Sequence, residues 1–268
     1  MQSIFNKINE YQHTNTPFVL ATVVSSTGSS PGKEGFKLLL DANNKTFGTV
    51  GGGAIELEVI SQAKDFLVKG SGGLISYLLS KNAKRKNKTE KLIPMMCGGR
   101  MQVFFEVFGK KQTVYVFGGG HVGQALIPIL KQIGYYIILV DNRKEFIDKT
   151  ENLLADEKIC EDYIEYSSKF NPDKDSMCVL LTHGHNYDYE ILYQIYSRKL
   201  TVKYIGVISS KGKAATLRKN LKKSFTEDLD FSNLYAPIGL EIGGDSASEI
   251  ALSISAELQS VRYKINHK

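Results

Sequence analysis

The sequence predicts an α/β protein of two domains, a mixed α+β domain over residues 1–110 and a doubly wound parallel-sheet domain over 111–268. Three observations carry that expectation. A chain of 268 residues exceeds one average domain. Its first half reads as strands with one helix, whereas its second half alternates strand and helix, the pattern of a parallel sheet covered on both faces. Between them, GKKQ at 109–112 is polar and glycine-led, as a domain boundary should be.

The elements follow in order. FVLATVVSS (18–26) is a β-branched run suited to a buried strand. FKLLLD (36–41) and KTFGTV (45–50) flank Ala42-Asn43-Asn44, a hairpin turn. AIELEVISQAKDFLVKG (54–70) places Ile55, Val59, Ile60 and Leu67 on one helical face and stops at Gly70. LISYLL (74–79) and MQVFFEVF (101–108) read as further strands. In the second half come TVYVF, the helix HVGQALIPILKQIG with Pro128 as a kink site, and YYIILVD. MCVLLT (177–182), a helix over 187–199, the strand VKYIGVI (202–208) and a helix over 211–223 follow. The last helix, 246–261, opens with Ser246 and Glu249 at capping-box spacing.

Composition narrows the function classes. With 42% hydrophobic and 23% charged residues the chain belongs with ordinary soluble globular proteins. No apolar run is long enough to span a bilayer, and MQSIFNKINEYQ lacks the layout of a secretory signal, so a cytoplasmic protein is expected. Three cysteines (Cys97, Cys160, Cys178) without repeated spacing exclude a disulfide framework. The net charge of +6 comes from residues 1–110, chiefly SKNAKRKNKTEK (80–91) with six basic residues and one glutamate. Such a run reads as a solvated loop. It has no interleaved aromatics for base stacking, so no nucleic-acid partner is expected.

FGGGHVGQ carries Gly118-x-Gly120-x-x-Gly123 between a strand and a helix, and the next strand ends in Asp141, 18 residues beyond Gly123. That context makes the domain Rossmann-like. Gly118 permits a tight turn, Gly120 lets backbone approach a pyrophosphate, and Gly123 lets the helix pack on the strand. The helix start supplies N–H donors, and Asp141 would take a ribose diol. The occupant is NAD or another nucleotide-like ligand, unless the domain has lost its dinucleotide.

Three further clusters bear chemistry. Gly51-Gly52-Gly53, leading into a helix, forms either an anion-binding backbone nest or a tight strand-to-helix turn. STGSSPGKEG (26–35) fails the P-loop spacing, which excludes ATP binding there. LTHGHNYDYE sets His183, His185 and Asp188 just after a strand, at the edge where open α/β sheets hold ligands. They suit a zinc or iron site, a general base, or simply a polar loop and helix cap. Cys97 precedes Gly98, Gly99 and Arg100. Bare backbone and positive charge favour a thiolate able to bind metal, while Met95 and Met96 before it suit a core cysteine.

The combination resembles the XdhC/CoxI family, accessory proteins of xanthine dehydrogenase and related molybdenum hydroxylases. The resemblance spans nearly the whole chain. It rests on ATVVSSTGSSPGKEGFKLLL, FGTVGGGAIELEV, MCGGRMQVFFE, VYVFGGGHVGQAL with the following LVDNR, LTHGHNYDYEIL, YIGVISSKGKAATL and PIGLEIGGDSASEIALSISAEL. It implies a homodimer that binds molybdenum cofactor (molybdopterin), supports its sulfuration by a cysteine desulfurase and inserts it into an apo molybdenum hydroxylase. Cys97 is then a cofactor contact or molybdenum ligand. Gly51–Gly53 and Glu56 shape the neighbouring loop, whose N–H groups meet the pterin phosphate. One departure stands out: Lys33 follows Pro31-Gly32 where the family usually carries an arginine after the proline, and lysine offers a point charge rather than a bidentate contact. The implied protein is a cofactor chaperone. The alternatives are an NAD-dependent oxidoreductase, with Asp141 on the ribose and His183 or His185 as acid/base, and a metal-dependent hydrolase built on His183, His185 and Asp188.

Overall fold

The computed structural model describes residues 3–80, 90–96 and 98–264, apart from the His185 side chain. The chain forms two compact units, Met1–Lys110 and Lys111–Lys268.

The first unit is a mixed sheet with one helix on each face. Its strands are β1 (Phe18–Gly28), β2 (Lys37–Asp41), β3 (Thr46–Gly48), β4 (Gly73–Leu79), β5 (Glu90–Ile93) and β6 (Gly99–Phe108), in the order β3-β2-β1-β6-β4-β5. β4 and β5 are parallel; the other pairs are antiparallel. Side chains alternate across β1 with the period of two that a strand imposes. Val19, Ala21 and Val23 face α2 (Gly53–Lys69), which returns Ile55, Val59 and Ala63 at helical spacing. Each of those larger apolar side chains contributes about 1.5–3 kcal/mol when fully buried. Phe18 and Leu20 point the other way, toward α1 (Ile4–His13) and its buried Tyr11. Polarity of MQSIFNKINEYQ hid α1 from the sequence reading; Ser3 caps it, and the Tyr11 hydroxyl donates to Asp41 Oδ2 at 2.8 Å. Asp41 also builds the Ala42–Asn44 turn, its Oδ1 accepting the N–H groups of Asn43 and Lys45 at 2.8 Å.

The second unit is the doubly wound sheet that its strand–helix alternation predicts. Six parallel strands run β7 (Thr113–Phe117), β8 (Tyr136–Asp141), β9 (Glu157–Cys160), β10 (Met177–Leu180), β11 (Tyr204–Val207) and β12 (Leu234–Tyr235), in the order β12-β11-β10-β7-β8-β9. The order reverses between β7 and β10, the switch point of a Rossmann fold. On one face lie α3 (His121–Gln132), which runs through Pro128, and α8 (Ala247–Tyr263). On the other lie α5 (Tyr163–Lys169), α6 (His185–Ser197) and α7 (Lys211–Ser224). A short α4 (Lys144–Ile147) and a 3₁₀ turn (Glu151–Leu154) link β8 to β9. The capping box of α8 is present, with Ser246 N–H donating to Glu249 Oε2 at 3.0 Å.

Candidate functional site

In the first unit, three loops converge beside β1 and β6. Register pairs Gly28 with Gly99, so the 27–32 loop starts next to the residues that follow Cys97. The glycine loop 51–53 closes on the same region. Gly51 has φ +128°, and a Cβ there would stand 2.5 Å from Gly32 N, an approach only glycine allows. A Cβ on Gly53 would meet Met95 Cε at 3.7 Å. Cys97 itself lies outside the described residues. Its neighbours Met96 and Gly98 are exposed, Met96 at 84%, and Arg100 Nε donates to Glu90 Oε1 at 3.2 Å.

Glu56, in the first turn of α2, organises this loop. Its Oε2 accepts Val50 N–H at 3.1 Å, Gly52 N–H at 3.2 Å and the Thr49 hydroxyl. Gly51 N–H donates to Thr49 Oγ1 at 3.0 Å. The nest therefore holds the chain's own carboxylate. Its N–H groups at 50–52 are engaged rather than offered to a phosphate, a difference from the sequence expectation. What remains open is backbone surface: a Cβ at Gly52 or Gly98 would meet nothing within 4 Å.

In the second unit the switch point brings two loops together. Gly118 has φ +119°, and a Cβ there would sit 2.4 Å from Leu181 O, so the loops after β7 and β10 touch backbone to backbone. A Cβ on Gly123 would stand 2.3 Å from Gly118 O, which lets α3 settle onto the loop. Gly120 caps α3 and has open space where a side chain would stand. Asp141 is fully buried at the end of β8. Its Oδ2 accepts Gly119 N–H at 2.7 Å and Arg143 Nη2–H at 2.9 Å; its Oδ1 accepts Arg143 N–H and Nε–H, both at 2.9 Å. Burial alone would raise this carboxyl, but the Arg143 hydrogen bonds and the Gly119 N–H outweigh it and hold it below its ordinary value. Arg143 lies over the Phe146 ring at 3.9 Å. Sequence reasoning assigned Asp141 to a ribose diol; in the structure its oxygens serve Arg143 and Gly119, and a diol would have to displace the guanidinium.

His183, His185 and Asp188 follow β10. His183 is exposed, with its ring 5.2 Å from Tyr187 and 6.1 Å from Tyr163. His185 opens α6. Asp188 is 3% exposed and accepts the Thr182 hydroxyl at 2.7 Å; burial lifts its carboxyl to about 7, against a lowering by that bond. Among the described residues, no three His, Cys, Asp or Glu side chains gather as a metal set. Cys178 is a core thiol that burial pushes up to about 12, whereas Cys160 is exposed.

Two anchoring residues lie within the quoted motifs but were given no role from the sequence. Arg143 stands two positions beyond Asp141, a local pairing with no periodic signature. Glu257 lies among the buried positions Ile254 and Leu258 of α8 and accepts the Tyr204 hydroxyl and Gly239 N–H, the latter at 2.9 Å. A carboxylate set in an apolar helical stripe was the available signal.

The family model of the XdhC Rossmann domain matches residues 114–258, and that of the XdhC and CoxI family matches residues 11–77. The chain belongs to the XdhC/CoxI family. This XdhC/CoxI chain is 26% identical over 266 residues to YqeB, an uncharacterized protein of Escherichia coli (strain K12), covering 97% of the chain and 46% of that protein. It is 25% identical over 163 residues to a probable xanthine dehydrogenase subunit of Bacillus subtilis (strain 168), covering 61% of the chain and 47% of that protein. The chain thus spans about half the length of these curated relatives. A crystal structure described as a xanthine dehydrogenase from Bacillus halodurans has the same fold, with TM-score 0.52 and 21% identity, covering 99% of this chain and 97% of that one. No helix among the described residues is long and apolar enough to cross a membrane.

Proposed function

We propose that this chain is an accessory protein of a xanthine dehydrogenase-type molybdenum hydroxylase. It binds molybdenum cofactor in the cytoplasm, holds it for sulfuration by a cysteine desulfurase and inserts it into the apo-hydroxylase. Family membership reaching into both units supports the reading, as does the Bacillus subtilis relative described as a probable subunit of xanthine dehydrogenase. The observation that carries it is the convergence of the 27–32 and 51–53 segments with Met95, Gly98 and Gly99 on one bare stretch of backbone.

The residues present fit such a group. Open space at Gly52 and Gly98 admits a bulky ligand close to backbone. Exposed Lys33 supplies a cation for its phosphate, a part the N–H groups of 50–52 do not take while Glu56 holds them. Cys97, with Arg100 three residues on, supplies the thiolate. When bound, the cofactor contributes the molybdenum centre that the client hydroxylase uses. The protein's own part is to grip the phosphate, orient the ligand on the glycine backbone and keep the thiolate ready beside it.

An anaerobic titration of the purified chain with molybdenum cofactor, read by absorbance, tests this. Wild type should bind stoichiometrically, with Cys97→Ala and Lys33→Ala each weaker by tenfold or more. Absence of binding by wild type would sink the reading.

A further inference from the structure

The second unit holds a cleft of its own. It opens between α6 and α7 at the carboxyl end of β11, with a volume of about 600 Å³, within the range that accommodates small organic ligands. Val207, Leu217 and the Tyr189 ring give it apolar surface, Asp188 and Ser209 a polar floor, and exposed Lys213 a cationic rim. Ser209 Oγ is buried without a hydrogen-bond partner. A hydroxyl left so is costly, and an atom of a ligand in the cleft would satisfy it. Asp188 adds a second buried polar group to the same floor.

The start of α7, which adjoins Ser209 on the same cleft, suits an anion. Ser210 caps α7 through the Lys213 N–H at 3.4 Å, and Ala214 N–H donates to Ser210 O at 2.9 Å. The N–H groups of Lys211 and Gly212 have no partner within the helix. Gly212 lines the cleft, and a Cβ there would meet nothing within 4 Å. An anionic group can therefore approach the helix start directly, with Lys213 beside it. The apolar walls of Val207, Leu217 and the Tyr189 ring suit a flat ring whose edge hydrogen-bonds to Asp188 and Ser209.

We infer that the α6–α7 cleft binds a phosphorylated planar heterocycle of mononucleotide size, its phosphate at the start of α7 and its polar edge at Asp188 and Ser209. The site is separate from the Gly118–Gly123 loop between β7 and β10, and it does not rest on the molybdenum reading.

Calorimetric titration of the full chain with guanosine 5′-monophosphate, adenosine 5′-monophosphate and inorganic phosphate tests it. At least one mononucleotide should bind, and inorganic phosphate should bind more weakly and compete. Thr216→Trp, which fills the cleft from an exposed position, and Lys213→Glu should each weaken binding tenfold or more. Lys219→Glu makes the same charge change on α7 away from the cleft lining and should alter binding less than threefold. The inference is overturned if neither mononucleotide binds at millimolar concentration, or if binding survives Lys213→Glu. That variant decides the matter even should Thr216→Trp fail to fold.

Discussion

Arg143 clasps Asp141 with two parallel hydrogen bonds, Nε to Oδ1 and Nη2 to Oδ2, each 2.9 Å, at the very end of β8. One partner is fully buried and the other about a quarter exposed. Removing the arginine leaves a buried carboxylate with only backbone donors, so Arg143→Ala should cost about 2–4 kcal/mol in urea unfolding. The same variant vacates the place a ribose diol would take. Calorimetry should accordingly show NAD binding more tightly to Arg143→Ala than to wild type.

The clasp also sets an acid limb. Asp141 titrates below its ordinary 3.8 in the folded chain. The stability it contributes is present above that unfolded value and is lost as pH falls through the folded one. Unfolding free energy between pH 5 and pH 3 should fall less steeply in Arg143→Ala than in wild type, on a pH scale of about one to two units around the carboxylate range.

Asp188 has the opposite sign. Its folded carboxyl, near 7 against an ordinary 3.8, keeps its proton where the unfolded chain has lost it. The folded state then binds more protons, so stability falls as pH rises from the lower value to the higher and levels off beyond. Urea midpoints at pH 4.5, 6 and 7.5 should decline in wild type more than in Asp188→Asn.

The two ends of the Rossmann loop should respond differently to one methyl group. Gly118→Ala drives a Cβ against Leu181 O at positive φ, and thermal unfolding should register a loss of about 2 kcal/mol or more. Gly120 has φ −69° and open space, so Gly120→Ala should stay within about 0.5 kcal/mol of wild type.

In the first unit, Glu56→Ala strands the N–H groups of Val50 and Gly52. Each loses a charge-assisted bond, and the variant should be destabilised by about 1–3 kcal/mol. Glu56→Gln keeps an acceptor and should recover roughly half of that in the same urea titration.

The second unit was the more legible from sequence because buried parallel strands read as continuous apolar runs: TVYVF and YYIILVD became β7 and β8 almost residue for residue. Its β9 and α5 were missed, since EKIC and YIEYSSK mix polar and apolar residues without a clear period. β5 was missed for a related reason. Its residues EKLI close a basic run, and their strand character comes from pairing with β4. At the candidate sites, glycine spacing announced where backbone must approach backbone. It could not announce that Glu56 and Arg143 would claim the donors and acceptors there, because those bonds depend on side-chain direction after folding.

Both sheets finish in short strands. β3 and β5 border the first with three and four residues, and β12 and β9 border the second with two and four. A foreign strand arriving at any of these borders would find few rungs to continue and little reward for ordering itself. Among the described residues neither sheet offers a long edge to extend, so both can carry glycine-lined, open backbone at their loops without inviting the chain to polymerise through those edges.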